Sequence, residues 1–190
     1  MPSSEKITVL GISGSLRRQS SNAAILRAVA HSLLPEEATF ILFEGIDDLP
    51  HFNPDIIPTP AVARLREAIE QADAVVIGTP EYAFGVPGVL KNALDWLVGT
   101  GELNEKPVAA ISSSSMYSGG DKALASLLLT FKALGTNRSE ASSLSIASAG
   151  QKMSGEEITD ATTLQQISDL MHHLLDTVKE ARAKAQEAPL

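Results

Sequence analysis

A chain of 190 residues, 44% apolar and 20% charged, has the length and composition of one domain with a substantial core. Its formal net charge of −8 argues against a general nucleic-acid binder, which needs basic surface, although a single phosphate needs only a local site. Cysteine is absent, which excludes disulfides, thiolate catalysis and cysteine-held metals, and no apolar run approaches the ~20 residues of a membrane-spanning helix.

The opening Met1-Pro2-Ser3-Ser4-Glu5-Lys6 lacks the cleavage-site pattern of a signal peptide, so the expectation is a cytoplasmic protein. Residues 7–12 form a short β-branched apolar run, as in a strand buried on both faces. Residues 22–34 follow with Ile25, Leu26, Val29 and Leu33 at helical spacing, ended by Pro35. Residues 39–43 read as a second strand. The stretch 44–60, rich in Pro, Asp and Asn, is long for a loop and therefore a functional candidate. A helix over 61–71, a strand over 74–77 and a helix over 88–98 come next, the last introduced by Pro87. Strand four is expected at 108–111 and the next helix at 122–134. A strand interrupted by serines lies within 142–147, and a long terminal helix spans 163–184 before a frayed tail at 185–190. Five strands alternating with five helices predict an α/β fold, a parallel sheet covered on both faces and doubly wound by right-handed crossovers. No linker or repeat divides the chain, so residues 1–190 are expected to form a single domain. Its site should lie at the carboxyl ends of the strands, near the switch point.

The segment from Gly11 to Asn22 joins the first strand to the first helix, where unpaired N–H groups and the dipole favour an anion. Ser15, Ser20 and Asn22 add donors, Arg17 adds a charge-assisted one, and Gly11 and Gly14 let the backbone curl. One such residue suffices to cap a helix, but this loop has four serines, an asparagine and two arginines, which favours phosphate binding for the group. Neither a Walker ending nor Gly-x-Gly-x-x-Gly is present, and Ser15 stands where a nucleophile elbow around Ser13 needs glycine. After strand three, Pro80-Glu81-Tyr82-Ala83-Phe84 and Pro87-Gly88 form a stiff loop whose aromatics suit either a structural turn or a platform for a planar ring. After strand four, Ser112-Ser113-Ser114-Ser115-Met116-Tyr117-Ser118-Gly119-Gly120 leads into a helix.

Gly14-Ser15-Leu16-Arg17, with Ser20 and Asn22, resembles the phosphate loop of the NADPH-dependent FMN reductase family, which includes flavin, quinone, chromate and azo-dye reductases. Pro80-Glu81-Tyr82, Pro87-Gly88 and Leu90-Lys91-Asn92-Ala93-x-Asp95-Trp96 resemble the family's second signature, and the 112–120 loop its third. The resemblance implies a flavodoxin-like five-stranded sheet in the order 2-1-3-4-5, FMN as cofactor, and NADPH or NADH as co-substrate. It implies a phosphate held by Ser15, Arg17, Ser20 and Asn22, with Ser21 a further cofactor-binding residue of that loop, and a flavin and ribityl chain lined by Pro80, Glu81 and Tyr82. Ala83 stands where the family commonly has asparagine, so a side-chain hydrogen bond is lost there while the N–H groups of Ala83 and Phe84 can still serve. Ser113 and Gly119 belong to the loop over the pyrimidine end, where the N–H groups of Gly119 and Gly120 face an oxygen gaining charge.

The implied activity is ping-pong hydride transfer from NAD(P)H to bound FMN and on to a small acceptor: a flavin, quinone, azo dye or metal oxyanion. The cofactor carries the chemistry, and no side-chain acid or base is expected. A flavodoxin-type one-electron carrier is the alternative, set apart by Arg17, whereas a serine hydrolase built on Ser13 lacks an obvious histidine. His172 and His173 are adjacent on a helix and point about 100° apart, so no metal site is expected. A homodimer or homotetramer is expected from Phe52, Tyr82, Phe84, Met116 and Tyr117, and from a helix 88–98 whose Leu90, Leu94, Trp96 and Leu97 exceed one core-facing stripe. The segment from Leu49 to Asp55 joins this list as binding-face or subunit contacts.

Overall fold

Short apolar runs pair in parallel into one sheet: β1 (Ile7–Ser13), β2 (Ala38–Leu42), β3 (Ala74–Thr79), β4 (Val108–Ser113) and β5 (Ser143–Ile146). Their order is 2-1-3-4-5, the flavodoxin-like order expected, in a computed structural model that describes residues 6–187. The helices are α1 (Ser21–Ala28), α2 (Pro60–Gln71), α3 (Gly88–Asp95), α4 (Asp121–Ala133), α5 (Ala149–Lys152) and α6 (Ala161–Glu187).

Every position of β3 and β4 is buried, which is why these strands read as unbroken apolar runs rather than alternating ones. Alternate residues still serve opposite layers. Leu10, Ile12, Val75 and Ile77 meet the apolar faces of α2, α3 and α4 through Leu65, Ile69, Leu90, Leu94 and Phe131. Val9, Val76 and Ile111 meet α1 and α6 through Ile25, Leu26, Leu170 and Leu174. Each such side chain contributes about 1.5–3 kcal/mol by leaving water.

Several boundaries differ from expectation. The first helix is α-helical only to Ala28 and continues as a wider π-helical turn over Val29–Leu33 before Pro35. The predicted helix over 88–98 stops at Asp95. α6 starts at Ala161 because the Asp160 carboxylate accepts from the Thr163 N–H at 2.8 Å and hydroxyl at 2.7 Å, satisfying first-turn donors. It runs to Glu187, so residues 185–187 are helical rather than frayed. Residues 188–190 of the expected tail, and residues 1–5 of the opening segment, lie outside the described residues. A small hairpin, β6 (Met153–Ser154) with β7 (Glu157–Ile158), follows α5 and was not expected, since two-residue strands carry no readable period. Among the described residues no helix is long and apolar enough to cross a membrane.

Candidate functional site

β1 lies between β2 and β3, and the register sets Ser13 beside Gly78, so the loops leaving β1 and β3 start as neighbours. The Gly14 N–H donates to the Gly78 carbonyl at 2.8 Å. Gly14 is required for space: a Cβ there would come within 2.8 Å of Leu90 Cδ2 and 3.3 Å of the Gly78 oxygen. Gly11 similarly leaves room for the Phe40 ring, and neither glycine has a positive φ. Close packing, not freedom to curl, is what these two glycines supply.

Beyond Gly14 the loop braces itself. Ser13 Oγ accepts from the Ser15 N–H and Ser15 Oγ from the Arg17 N–H, each at 3.3 Å. Ser20 caps α1 by accepting from the Ala23 N–H at 3.3 Å. The N–H groups of Ser21 and Asn22, in the first turn, have no intrahelical acceptor and are free for an anion. Arg17 is exposed beside them.

Asn22 departs from the role its motif implies. Its side chain is 2% exposed and is spent on β4: Nδ2 donates to the Ser113 carbonyl at 3.2 Å, and Oδ1 accepts from the Ser113 N–H at 3.0 Å. Ser21 Oγ pairs with Ser113 Oγ at 2.7 Å. The loop after β1 is thereby fastened to the end of β4. Glu81 is similarly diverted, because Oε2 accepts from the N–H groups of Lys122 and Ala123 at 2.9 and 3.0 Å and so caps α4. Gly119 has φ 64° and is buried; a Cβ would lie 2.3 Å from Ser145 Oγ, and its N–H donates to the Met116 carbonyl. It shapes the 114–120 loop, and its N–H is already used within that loop.

A cavity of about 740 Å³ opens at this edge of the sheet. Of the expected residues, Ser15, Arg17, Ser20, Ser21, Asn22, Pro80, Glu81, Tyr82 and Ser113 line it, whereas Ala83, Phe84 and Gly119 do not. Ala83 and Phe84 form the tip of a two-residue turn beyond Tyr82, closed by reciprocal bonds between Tyr82 and Gly85 at 3.0 Å. Ser114 and Ser115 of the third expected loop continue the lining, and the sequence does not announce the far wall, made by Ala149, Gly150, Met153, Gly155 and Glu156. The rule that sites gather at strand ends points to Ala149 and Gly150, which follow β5, but nothing in the pattern announces the hairpin. There Arg27 holds Glu156 with two hydrogen bonds, of 2.5 and 3.2 Å.

The second signature's helix does a different job from the one expected. Leu90, Leu94, Trp96 and Leu97 are all at most 2% exposed, so these four face the core and only Val98, at 63% exposed, leaves a large apolar side chain of the segment in solvent. Asn92 Nδ2 and Trp96 Nε1 both donate to the Pro50 carbonyl at 2.9 Å, and Asn92 Oδ1 accepts from the Phe52 N–H at 2.7 Å. Phe52 meets Trp96 edge-on at 5.2 Å. The signature thus anchors the long 44–60 loop. His172 bonds the Ser168 carbonyl and His173 the Ser139 hydroxyl, while Ser13 bonds within its own loop, so no serine–histidine pair forms at Ser13.

Residues 7–151 match the family model described as NADPH-dependent FMN reductase. The chain is 43% identical over 117 residues to an NAD(P)H-dependent FMN reductase of Pseudomonas aeruginosa, covering 59% of this chain and 62% of that protein. It is 36% identical over 168 residues to a quinone reductase of Escherichia coli, covering 84% and 89%. Among solved structures it resembles the flavoenzyme NAD(P)H:(acceptor) oxidoreductase of Paracoccus denitrificans, at 31% identity and a TM-score of 0.78, over 92% of this chain and 98% of that one. The sheet order, the cradle after β1 and these likenesses agree: the chain belongs to the NADPH-dependent FMN reductase family.

Proposed function

We propose that this chain is an FMN-containing reductase that takes hydride from NAD(P)H and passes electrons, in a ping-pong cycle, to a small acceptor of the quinone or flavin type. The observation that carries the reading is the cradle at the start of α1. The N–H groups of Ser21 and Asn22 have no intrahelical partner, and Ser15, Ser20 and Arg17 stand beside them at the mouth of a crevice deep enough for a ring. The donor set therefore suits a terminal phosphate monoester, and Pro80, Tyr82 and Ser113 line the space for the flavin and ribityl chain. FMN, when bound, supplies the hydride-accepting ring. The chain's part is to hold the phosphate, brace the two ring-side loops through Asn22 and Glu81, and leave one face of the ring open to the second substrate. A cytoplasmic location belongs to the same reading. A symmetric oligomer also belongs to it, and rests on the exposed Phe52, Val98, Met116 and Tyr117.

The purified protein should carry the absorbance of oxidised flavin and consume NADPH or NADH when a benzoquinone is added. Arg17→Ala should weaken FMN binding by ~1.5–3 kcal/mol, the range for a charged hydrogen bond. Equal FMN affinity in the two proteins would remove the phosphate assignment.

A further inference from the structure

Ala83 and Phe84 have φ of 49° and 62°, two successive side-chain-bearing residues in the left-handed region. They are the central pair of the turn that Tyr82 and Gly85 close with reciprocal hydrogen bonds. Asn-Gly is the usual occupant of such a turn, because a Cβ at these angles crowds the following carbonyl. Phenylalanine at the second position is therefore held against its backbone preference. Burial does not compensate, since Phe84 is 79% exposed and stacks on no other ring among the described residues.

Its position is specific. Tyr82, where the turn begins, lines both the 740 Å³ crevice and a second cavity of about 350 Å³ walled by Leu16, Pro87 and Val89. Phe84 itself lines neither cavity, but two residues of chain reach at most roughly 7 Å, so its backbone lies next to the rim that Tyr82 forms. Backbone strain that presents an unpacked side chain beside a binding crevice marks a functional constraint. A phenyl ring at such a rim has one strong interaction to offer, stacking on another flat ring.

We propose that Phe84 is a substrate-stacking residue, whose ring packs on the planar ring of the molecule docked in the crevice against the flavin. This rests on the reductase reading above. Nicotinamide and a quinonoid acceptor share that chemistry, and separate measurements distinguish them. The test uses the full chain loaded with FMN and compares the parent with Phe84→Gly and Phe84→Trp. KM is measured for NADPH at saturating benzoquinone and for benzoquinone at saturating NADPH, alongside Tm and mass by light scattering. In Phe84→Gly, Tm should hold or rise by about 2–4 °C, because the strain is gone. KM for one or both substrates should rise about three- to tenfold, and the one that rises names the ring. Phe84→Trp should restore that KM. The inference is overturned if both KM values stay at the parent's in Phe84→Gly, or if Tm falls, which would make the ring a packing group. A change of mass with unmoved KM overturns it too, by assigning Phe84 to a subunit contact. A parent chain that holds no FMN and oxidises no NADPH or NADH overturns the reductase reading itself, and this inference with it.

Discussion

Replacing Asn22 by aspartate separates the two jobs that this position could have. The change is nearly isosteric, so the cavity is unaltered. Oδ1 still accepts from the Ser113 N–H, but the other oxygen now sits where Nδ2 had donated to the Ser113 carbonyl at 3.2 Å. One buried hydrogen bond is lost and two oxygens face each other in a site that is 2% exposed, a loss of roughly 1–3 kcal/mol. The start of α1 favours a negative charge by about 0.3–1 kcal/mol, which offsets part of it. The net expectation is a destabilisation of about 1–2 kcal/mol in flavin-free protein. With a urea slope of ~2 kcal/mol per molar, the middle of the usual range, the unfolding midpoint should fall by about half to one molar. Urea titration of the apoprotein is the deciding assay because no phosphate is present in it. If the apoprotein midpoint stays put, the brace to β4 contributes nothing and the reasoning fails.

The turn after Tyr82 offers a stabilising change: Ala83→Asn places a residue tolerant of φ 49° at the first central position and should add up to roughly 1 kcal/mol, read as a higher Tm. An unchanged or lower Tm would mean that the turn is not under the strain its angles indicate. At the start of α6, the hydroxyl and N–H of Thr163 hold the Asp160 carboxyl below the usual carboxylate range. A depressed folded pKa contributes stability above the unfolded value and loses it as pH falls through the folded one. Asp160→Ala should therefore lower Tm at neutral pH, and the gap should narrow as the pH is lowered through and below the usual carboxylate range; a gap of constant size on acidification would show that the carboxylate's charge is not what stabilises the helix start.

The sheet was legible because β3 and β4, buried on both faces, leave continuous runs such as Ala74-Val75-Val76-Ile77 that no surface strand tolerates. β5 was harder to place because it is an edge strand whose Ser143, Leu144 and Ser145 keep contact with solvent, so serines interrupt its pattern. The hairpin after α5 was invisible, since it is held by its partner rather than by any period of its own. The overestimate of apolar surface on the 88–98 helix has a different cause. Helical periodicity was extended past Asp95, where the chain turns and lets Trp96 and Leu97 reach the core from another direction.

At the site loops the sequence shows which groups are present but not where they point. Donors and acceptors clustered in a loop suit a ligand, yet the side chains of Asn22 and Glu81 are bonded elsewhere. Direction, however, is set by partners far away in sequence: Ser113 lies 91 residues from Asn22, and Lys122 lies 41 residues from Glu81. A backbone that leaves helix N–H groups free for an anion has few hydrogen bonds of its own, so something else must hold it in shape. Here Asn22 ties the first loop to β4, Glu81 ties the second loop to α4, and the Ala149 N–H, bonded to the Ser114 carbonyl at 2.9 Å, ties the third to the end of β5. The most polar positions of the signatures are thus largely consumed in cross-bracing. What remains for the ligand is backbone N–H, two serine hydroxyls and Arg17, a set that tolerates change in the side chains around it but not movement of the loops. On that argument, substitutions at the braces should damage FMN affinity and apoprotein stability together, whereas substitution of Arg17, whose backbone N–H but not its side chain joins the bracing, should damage affinity alone.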